Sequence, residues 1–209
     1  MSYTIILGVT GSIAAYKACE ITSGLVKSGV DVVVVMTRPA QRFIQPLTFR
    51  TLSKNEVVTG LFGRTEVHDP YHVSLADRAD LILVAPATAA IIGNVASGVS
   101  DDILTCTLLA SRARVIMAPA MDDNMYHHPI VQANISRLKE IGYGFIGPVE
   151  GRLSTGKVGV GRLAPVEEII NTVLEELKTL SPKSRGTARR APTVKKKVGR
   201  QAGGKSSKG

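Results

Sequence analysis

The sequence predicts an α/β protein with a single doubly wound parallel sheet and helices on both of its faces. Three short, mostly apolar runs have the length of strands and show no alternation of polar and apolar residues: Tyr3–Val9, Asp31–Met36 and Leu81–Ala85. Strands without that alternation are covered on both faces, as in parallel sheets. Segments with helical spacing separate the runs, and the crossovers that join parallel strands are right-handed.

The elements follow one another in regular alternation. A helix over Ile13–Lys27 follows the first strand, because small and apolar residues recur there every three or four positions. Beyond the third strand, the pattern predicts the strands Arg114–Met117 and Gly144–Ile146 and the helices Thr88–Val95, Asp102–Ser111, Pro129–Ile141 and Pro165–Leu180. This order is typical of Rossmann-like and flavodoxin-like domains.

Two stretches have the composition of loops. Leu61–Tyr71 contains glycine, histidine, aspartate and proline, and Gly147–Arg162 contains five glycines in 16 residues. High glycine content permits a loop to fold tightly over a ligand. We therefore predict that Gly147–Arg162 is a loop that closes over a binding site.

Length and charge favour one globular domain followed by a tail. The chain has 209 residues, of which 44% are hydrophobic, and its net charge is +9. Residues 181–209 hold ten Lys and Arg and no acid, whereas residues 1–180 hold 16 basic and 17 acidic residues, a net charge of −1. We predict a domain over 1–180 and a basic, disordered tail over 181–209, which has almost no large apolar residues. Nucleic-acid binding is disfavoured except through this tail, which itself lacks aromatic residues for stacking.

The remaining composition indicates a protein without disulfides, metal or membrane segment. Cys19 and Cys106 fall in helical patterns, and we expect both to be small buried hydrophobes of a protein in a reducing compartment. No His/Cys cluster has the spacing of a zinc site, so we expect no metal. No run reaches ~18 consecutive apolar residues and the N-terminus lacks a basic region, so we expect a cytoplasmic protein.

The turn after the first strand has the features of a phosphate site. Gly8, Gly11 and Ser12 precede a helix whose N-terminal N–H groups favour an anion. The spacing departs from the G-x-G-x-x-G dinucleotide pattern, and the second strand ends without an acid to hold a ribose, which disfavours NAD. The hydroxyls of Thr10, Ser12 and Thr37 could instead hold the terminal phosphate of a mononucleotide, and FMN fits this pattern.

Two Ala-Pro-Ala turns, at 85–87 and 118–120, leave the ends of neighbouring strands. Small residues at such positions permit a flat ring to approach the backbone closely. The second turn continues into Met121 and Asp122 within the segment 118–126, which lies where open α/β sheets bind their ligands. This segment is therefore a candidate binding site.

Six motifs, in order and with plausible spacing, resemble those of the flavin-containing cysteine decarboxylases. They are Gly-Val-Thr-Gly-Ser-Ile-Ala-Ala-Tyr-Lys (8–17), Pro-Leu-Thr-Phe-x-Thr-Leu-Ser (46–53), His-Val-x-Leu-Ala-x-x-Ala-Asp (72–80), Ala-Pro-Ala-Thr-Ala (85–89), Pro-Ala-Met-x-x-x-Met-Tyr (119–126) and Gly-x-Gly-Arg-Leu (159–163). The resemblance covers about residues 3–178 and is greatest to the branch that converts 4'-phosphopantothenoylcysteine to 4'-phosphopantetheine in coenzyme A biosynthesis. Bacterial members are commonly fused to a phosphopantothenate–cysteine ligase, so we expect this chain to be either monofunctional or the decarboxylase half with a separate ligase as its partner.

The resemblance implies FMN as the cofactor and an oxidative decarboxylation of cysteine. Oxidation at the carbon that bears sulfur permits loss of CO2, and the ene-thiol so formed is then reduced. His72 corresponds to the histidine that acts as base or hydrogen-bond partner toward the substrate thiol. The expected FMN-binding residues are Thr10, Gly11, Ser12, Ile13, Thr37, Thr88, Ala89, Ala90 and Met121. The expected substrate-binding residues are Ala120, Met121, Asp122 and Arg162, whereas His68, His127 and His128 match no motif position.

Two residues depart from the family pattern. Asp122 stands where the family most often has Asn, which binds the substrate carboxylate. A second carboxylate would repel the substrate unless Asp122 is protonated, Arg38 or Arg162 compensates, or the substrate differs. Thr155 stands at the position of a family cysteine that donates a proton in the final reduction, and a threonine is a much weaker acid. Either another donor such as Lys157 or water serves, or the protein stops at the ene-thiol.

Three functions therefore stay open. The first is decarboxylation of 4'-phosphopantothenoylcysteine, and the second is a related flavin activity, such as a peptide-cysteine decarboxylase or a flavin reductase. The third is a non-catalytic FMN-binding regulatory subunit, which His72 disfavours because a binding module does not need it. The family forms trimers or dodecamers with the flavin between subunits, so the resemblance also implies a homo-oligomer.

Overall fold

The computed structural model describes residues 3–61 and 70–180, which form a five-stranded parallel sheet with helices on both faces. The strands are β1 (Thr4–Val9), β2 (Asp31–Met36), β3 (Leu81–Ala87), β4 (Arg114–Pro119) and β5 (Gly144–Phe145). Their order in the sheet is β2-β1-β3-β4-β5. This order confirms the predicted doubly wound, flavodoxin-like fold and places the switch point between β1 and β3.

The helices connect these strands as the sequence pattern indicates. They are α1 (Lys17–Lys27), α2 (Pro46–Ser53), α3 (Tyr71–Arg78), α4 (Ala89–Ala96), α5 (Ile103–Ala110), α6 (Asp123–Tyr126), α7 (Pro129–Glu140) and α8 (Val166–Thr179). The predicted helix over Ile13–Lys27 begins with a 3-10 turn, Ile13–Tyr16, before the α-helical part. The helices α2, α3 and α6 were not among the predicted ones. Helix α6 has only four residues, too few to show a periodicity.

Two hydrophobic cores lie on opposite faces of the sheet. Alternate residues of β1 point to opposite faces, so Ile5 and Leu7 belong to one core and Ile6 belongs to the other. Helices α1 and α8 cover the first face, and α8 buries an apolar stripe of Ile169, Val173 and Leu177 there. Helices α3, α4, α5 and α7 cover the second face.

The structure corrects the predicted glycine-rich loop. Within Gly147–Arg162, two antiparallel strands form a hairpin, β6 (Val149–Arg152) and β7 (Val158–Arg162), joined by a tight turn. The prediction was wrong because glycine is usually unfavourable in strands, whereas here the glycines permit a close approach to another segment. Of the other predicted loop, Leu61–Tyr71, residues 62–69 lie outside the described part of the chain, and Tyr71 begins α3.

The cysteine prediction needs correction and the tail prediction falls outside the described residues. Cys19 and Cys106 are free and only half-buried rather than buried, and the Cys106 thiol donates to the carbonyl of Ser100 at 3.3 Å. The predicted basic tail, 181–209, is not among the described residues. Within the described part of the chain, no helix is both long enough and apolar enough to cross a membrane.

Candidate functional site

A cavity of about 1130 Å³ lies at the carboxyl ends of β1, β3 and β4, next to the switch point. It is lined by all the residues that the sequence assigns to FMN or substrate binding: Thr10, Gly11, Ser12, Ile13, Thr37, Thr88, Ala89, Ala90, Ala120, Met121, Asp122 and Arg162. The turn residue Thr155 lines it as well. The fold therefore brings together residues from five separate parts of the sequence.

Thr10 holds two of the strand ends together. Its hydroxyl donates to the carbonyl of Pro86 at 2.7 Å and accepts from the backbone N–H of Thr88 at 3.2 Å. The side chain is 2% exposed. Because its only hydroxyl proton is already donated, Thr10 cannot also donate it to a phosphate. The side chain fixes the geometry of the cavity wall, which differs from the direct phosphate contact expected from the sequence.

Two other hydroxyls keep their protons available while they cap helices. Ser12 Oγ accepts from Ala14 N–H at 3.3 Å, and Thr88 Oγ1 accepts from Ile91 N–H at 3.4 Å at the start of α4. A capping hydroxyl accepts through oxygen, so its O–H can still donate to an anion. The N–H groups of Ala89 and Ala90 have no partner among the described residues. Thr88, Ala89 and Ala90 lie at the N-terminus of α4, where the dipole also favours negative charge, and Ser12 lines the same cavity.

Thr37 closes this part of the cavity. Its hydroxyl donates to the carbonyl of Val9 at 3.5 Å and accepts from Ala40 N–H at 3.4 Å. The side chain is 7% exposed. Both contacts are long for hydrogen bonds, so a small rotation would free the hydroxyl for a ligand.

The segment 118–126 is held between β3 and the hairpin. Ala120 N–H donates to the carbonyl of Ala87 at 3.0 Å, and Met121 N–H donates to the carbonyl of Gly161 at 2.9 Å. The Asp122 carboxylate accepts from Asn124 N–H at 3.0 Å and caps α6.

Asp123 fastens the hairpin to this segment. Its Oδ1 accepts from the N–H of Val160 at 2.7 Å. A Cβ added to Gly161 would overlap the carbonyl oxygen of Met121, and one added to Gly159 would lie 2.8–2.9 Å from the Asp123 side chain. The two glycines are therefore required for the close approach of β7, a reason for their presence that composition alone did not indicate.

The hairpin turn carries Thr155 over the cavity. Two backbone bonds close the turn, from Leu153 N–H to the carbonyl of Lys157 at 2.8 Å and from Gly156 N–H to the carbonyl of Leu153 at 2.9 Å. Thr155 is exposed in this single chain. Lys157, considered as an alternative proton donor, does not line the cavity.

The structure does not bring His72 into the cavity. It lies half-buried in the first turn of α3, inside the helix rather than before it, and is not among the lining residues. Of the unassigned histidines, His127 and His128 are exposed and lie outside the cavity, and His68 falls outside the described residues. His127 Nδ1 is 3.3 Å from Asp123 Oδ1, and His128 caps α7.

Several lining residues were missed by sequence reasoning, among them Lys17, Phe43, Asn94, Asp101 and Asp102. Burial lowers the pKa of Lys17, the nearby Arg162 lowers it further, and Glu20 opposes both. Lys17 ends the first motif, so its place in the first turn of α1 could have indicated from the sequence that it lines the cavity. Arg38, proposed as a partner for Asp122, is exposed and does not line the cavity, whereas Arg162 does.

No metal site is found in the part of the chain that the structure describes. Over residues 3–61 and 70–180, no group of three or more His, Cys, Asp or Glu side chains could hold a metal ion. The donors that line the cavity are mainly hydroxyls, backbone N–H groups and cations. Such donors suit an anionic organic ligand.

Comparison with known proteins gives consistent matches. The family model described as Flavoprotein matches residues 1–178. The coenzyme A biosynthesis bifunctional protein CoaBC of Bacillus subtilis is 52% identical over 166 residues, 79% of this chain and 41% of that protein. The probable phosphopantothenoylcysteine decarboxylase of Streptococcus mutans is 43% identical over 179 residues, 85% of this chain and 100% of that protein. The chain thus spans less than half of the bifunctional relative and the whole length of the other.

Two solved structures share the fold. A PPC decarboxylase mutant complexed with pantothenoylaminoethenethiol superposes with a TM-score of 0.77 at 27% identity, covering 86% of this chain and 100% of that chain. The FMN-dependent cysteine decarboxylase SpaF superposes with a TM-score of 0.73 at 28% identity, covering 84% of this chain and 97% of that chain.

Proposed function

The chain belongs to the Flavoprotein family, and on that premise we propose that it is an FMN-dependent decarboxylase that converts 4'-phosphopantothenoylcysteine to 4'-phosphopantetheine. One observation carries the proposal: a single cavity joins phosphate donors at a helix N-terminus to the segment 118–126. Its volume of about 1130 Å³ exceeds that of an ordinary single-ligand pocket, so a flavin and a substrate fit together.

The residues present fit FMN. The hydroxyls of Ser12 and Thr88 and the N–H groups of Ala89 and Ala90 would hold the phosphate. The alanines that line the strand ends leave room for a flat ring, with Met121 beside it. Bound FMN would supply the two-electron chemistry that side chains lack.

The protein's own residues orient the substrate and exclude water. Ala120, Met121 and Asp122 present backbone and side-chain groups toward the cavity, and Arg162 contributes positive charge. The hairpin that carries Thr155 lines the cavity, and with ligands bound it would reduce solvent access. With a threonine there, the proton for the final reduction comes from another group or from water.

We also propose that a second copy of the chain completes the site. His72 lies outside the cavity of its own chain, although a histidine that acts on the substrate thiol must come within hydrogen-bond distance of it. Exposed apolar residues, including Ile13, Tyr16, Phe43 and Met125, surround the opening of the cavity. An oligomer, such as a trimer or a dodecamer, would cover them and supply His72 from a neighbouring subunit.

A second candidate function is favoured by Thr155. If nothing replaces the family cysteine, the protein ends at the ene-thiol, as a peptide-cysteine decarboxylase would. For the main candidate, we expect a cytoplasmic protein that acts together with a phosphopantothenate–cysteine ligase, the partner that the family resemblance implies.

A mass measurement tests the proposal and separates the candidates. The purified protein is examined for flavin absorbance and incubated with 4'-phosphopantothenoylcysteine, and the products are followed by mass spectrometry. Complete turnover removes CO2, about 44 Da, whereas arrest at the ene-thiol removes CO2 and two hydrogens, about 46 Da. An unchanged substrate mass with flavin-loaded protein would contradict the proposed activity and favour the regulatory alternative.

A further inference from the structure

Three basic side chains line the cavity, and none of them forms an ion pair with an acid among the described residues. They are Lys17 in the first turn of α1, Arg152 at the end of β6 and Arg162 at the end of β7. Lys17 and Arg162 line the same cavity although α1 and β7 are far apart in the sequence, and the charge of Arg162 is near enough to lower the pKa of Lys17. Two cations that face one cavity repel each other unless an anion lies between them.

The acids of the cavity do not neutralise this pair. The Asp102 carboxylate accepts from Thr105 N–H at 2.7 Å and caps α5, and the Asp122 carboxylate caps α6. Asp101 is exposed at the rim. Burial lowers the pKa of Lys17, Arg162 lowers it further, and Glu20 raises it.

We propose that Lys17 and Arg162 form the subsite for the terminal phosphate of the substrate, an inference that rests on the proposed function. The substrate has two anionic groups, a carboxylate and a phosphate. Strong pairing of a cation with the carboxylate would stabilise the ground state and oppose loss of CO2. The phosphate remains in the product, so binding it strongly does not oppose the reaction. A lysine and an arginine together also match the double charge of a phosphate.

The flavin phosphate has different donors in the same cavity. These are the hydroxyls of Ser12 and Thr88 and the free N–H groups at the start of α4. None of them belongs to Lys17 or to the hairpin. Lys17→Gln should therefore weaken binding of the phosphorylated ligand and leave the flavin content of the protein unchanged.

Calorimetry on the flavin-loaded protein tests the subsite without turnover. The probes are 4'-phosphopantetheine and pantetheine, which differ only in the phosphate. We expect Lys17→Gln to lower the affinity for 4'-phosphopantetheine ~10- to 100-fold, as for loss of one charged contact. The affinity for pantetheine should fall less than about threefold. Arg162→Gln should give the same selective loss. Lys27→Gln, a charge removal on the exposed last turn of α1, is the matched control and should change neither affinity.

Each other outcome rejects the inference in a distinguishable way. If the wild-type protein binds both probes equally, the phosphate subsite is absent while the proposed function stands. Equal weakening of both probes in Lys17→Gln would mean that Lys17 supports the fold or the pantetheine arm. Loss of flavin in the variant would assign Lys17 to the cofactor phosphate. If the wild type binds neither probe, the proposed function fails and the subsite fails with it.

Discussion

The two sides of the cavity are built in different ways. The strand-end side consists of Thr10–Ile13, Thr37 and Thr88–Ala90, which follow β1, β2 and β3 directly. The hairpin side consists of Ala120–Asp122 together with the hairpin, including Thr155 and Arg162. Thr10 and Thr37 are buried and hydrogen-bonded on the first side, whereas Thr155 and Arg162 are exposed on the second.

This difference indicates that the two sides are suited to different ligands. The strand-end side is fixed by the sheet itself and is suited to a cofactor that stays bound. The hairpin side is fastened by a few contacts at Asp123, Met121 and Gly161, and it is suited to a substrate that must enter and a product that must leave. The four variants below test this division, from the largest expected effect to the smallest.

The largest effect should come from His72→Gln. We expect kcat to fall about 10²- to 10⁴-fold, as for loss of a general base, with flavin content and thermal unfolding nearly unchanged. Coexpression with Thr88→Trp, which blocks the flavin side, tests whether the site is shared between copies. Partial recovery of activity in mixed oligomers is expected, and an absence of recovery would contradict the second-copy proposal.

Gly161→Ala should lower stability by about 3 kcal/mol, because the new Cβ overlaps the backbone carbonyl of Met121 and forces β7 away. Chemical denaturation measures the change. Gly60→Ala is the control, since a Cβ at Gly60 has open space around it and should have little effect. Equal stability of the two variants would show that the hairpin does not rest on this close approach.

Thr10→Val should lower the free energy of unfolding by about 2 kcal/mol, because it leaves the carbonyl of Pro86 and the N–H of Thr88 without a partner in a buried wall. Flavin content should fall as well, since that wall lies on the strand-end side. Thr51→Val makes the same chemical change at an exposed position in α2 and should alter neither quantity much. Retention of full flavin by Thr10→Val would overturn the assigned role.

Asp123→Ala should have the smallest effect, a loss of about 1 kcal/mol in the free energy of unfolding, because one part-buried hydrogen bond from Val160 N–H is removed. On the hairpin side we expect a KM several-fold higher at unchanged flavin content. Asp123→Asn keeps an oxygen acceptor and should restore KM. A fall in flavin content in either variant would mean that the two sides are not independent.

The sequence predicted the sheet well, and it assigned 13 of the 28 residues that line the cavity. Apolar runs without alternation located the five strands within a few residues, and turns at strand ends located Gly11, Ser12 and Thr88, because parallel strands end at one edge. The hairpin was predicted as a loop, and Lys17 was not assigned to the cavity. These failures share a cause: each depends on a contact between segments far apart in the chain.

The sequence by itself determined the order of strands and helices and the glycine and hydroxyl turns. It also predicts, through the family resemblance, departures at Asp122 and Thr155. Local periodicity and turn chemistry specify such features within about ten residues. Only the tertiary structure decided that Thr10 joins two turns, that Gly161 lies against Met121, and that Lys17 faces the cavity while His72 does not. The physical reason is that these relations depend on how packed helices and the hairpin meet across the sheet, and no local pattern encodes that meeting.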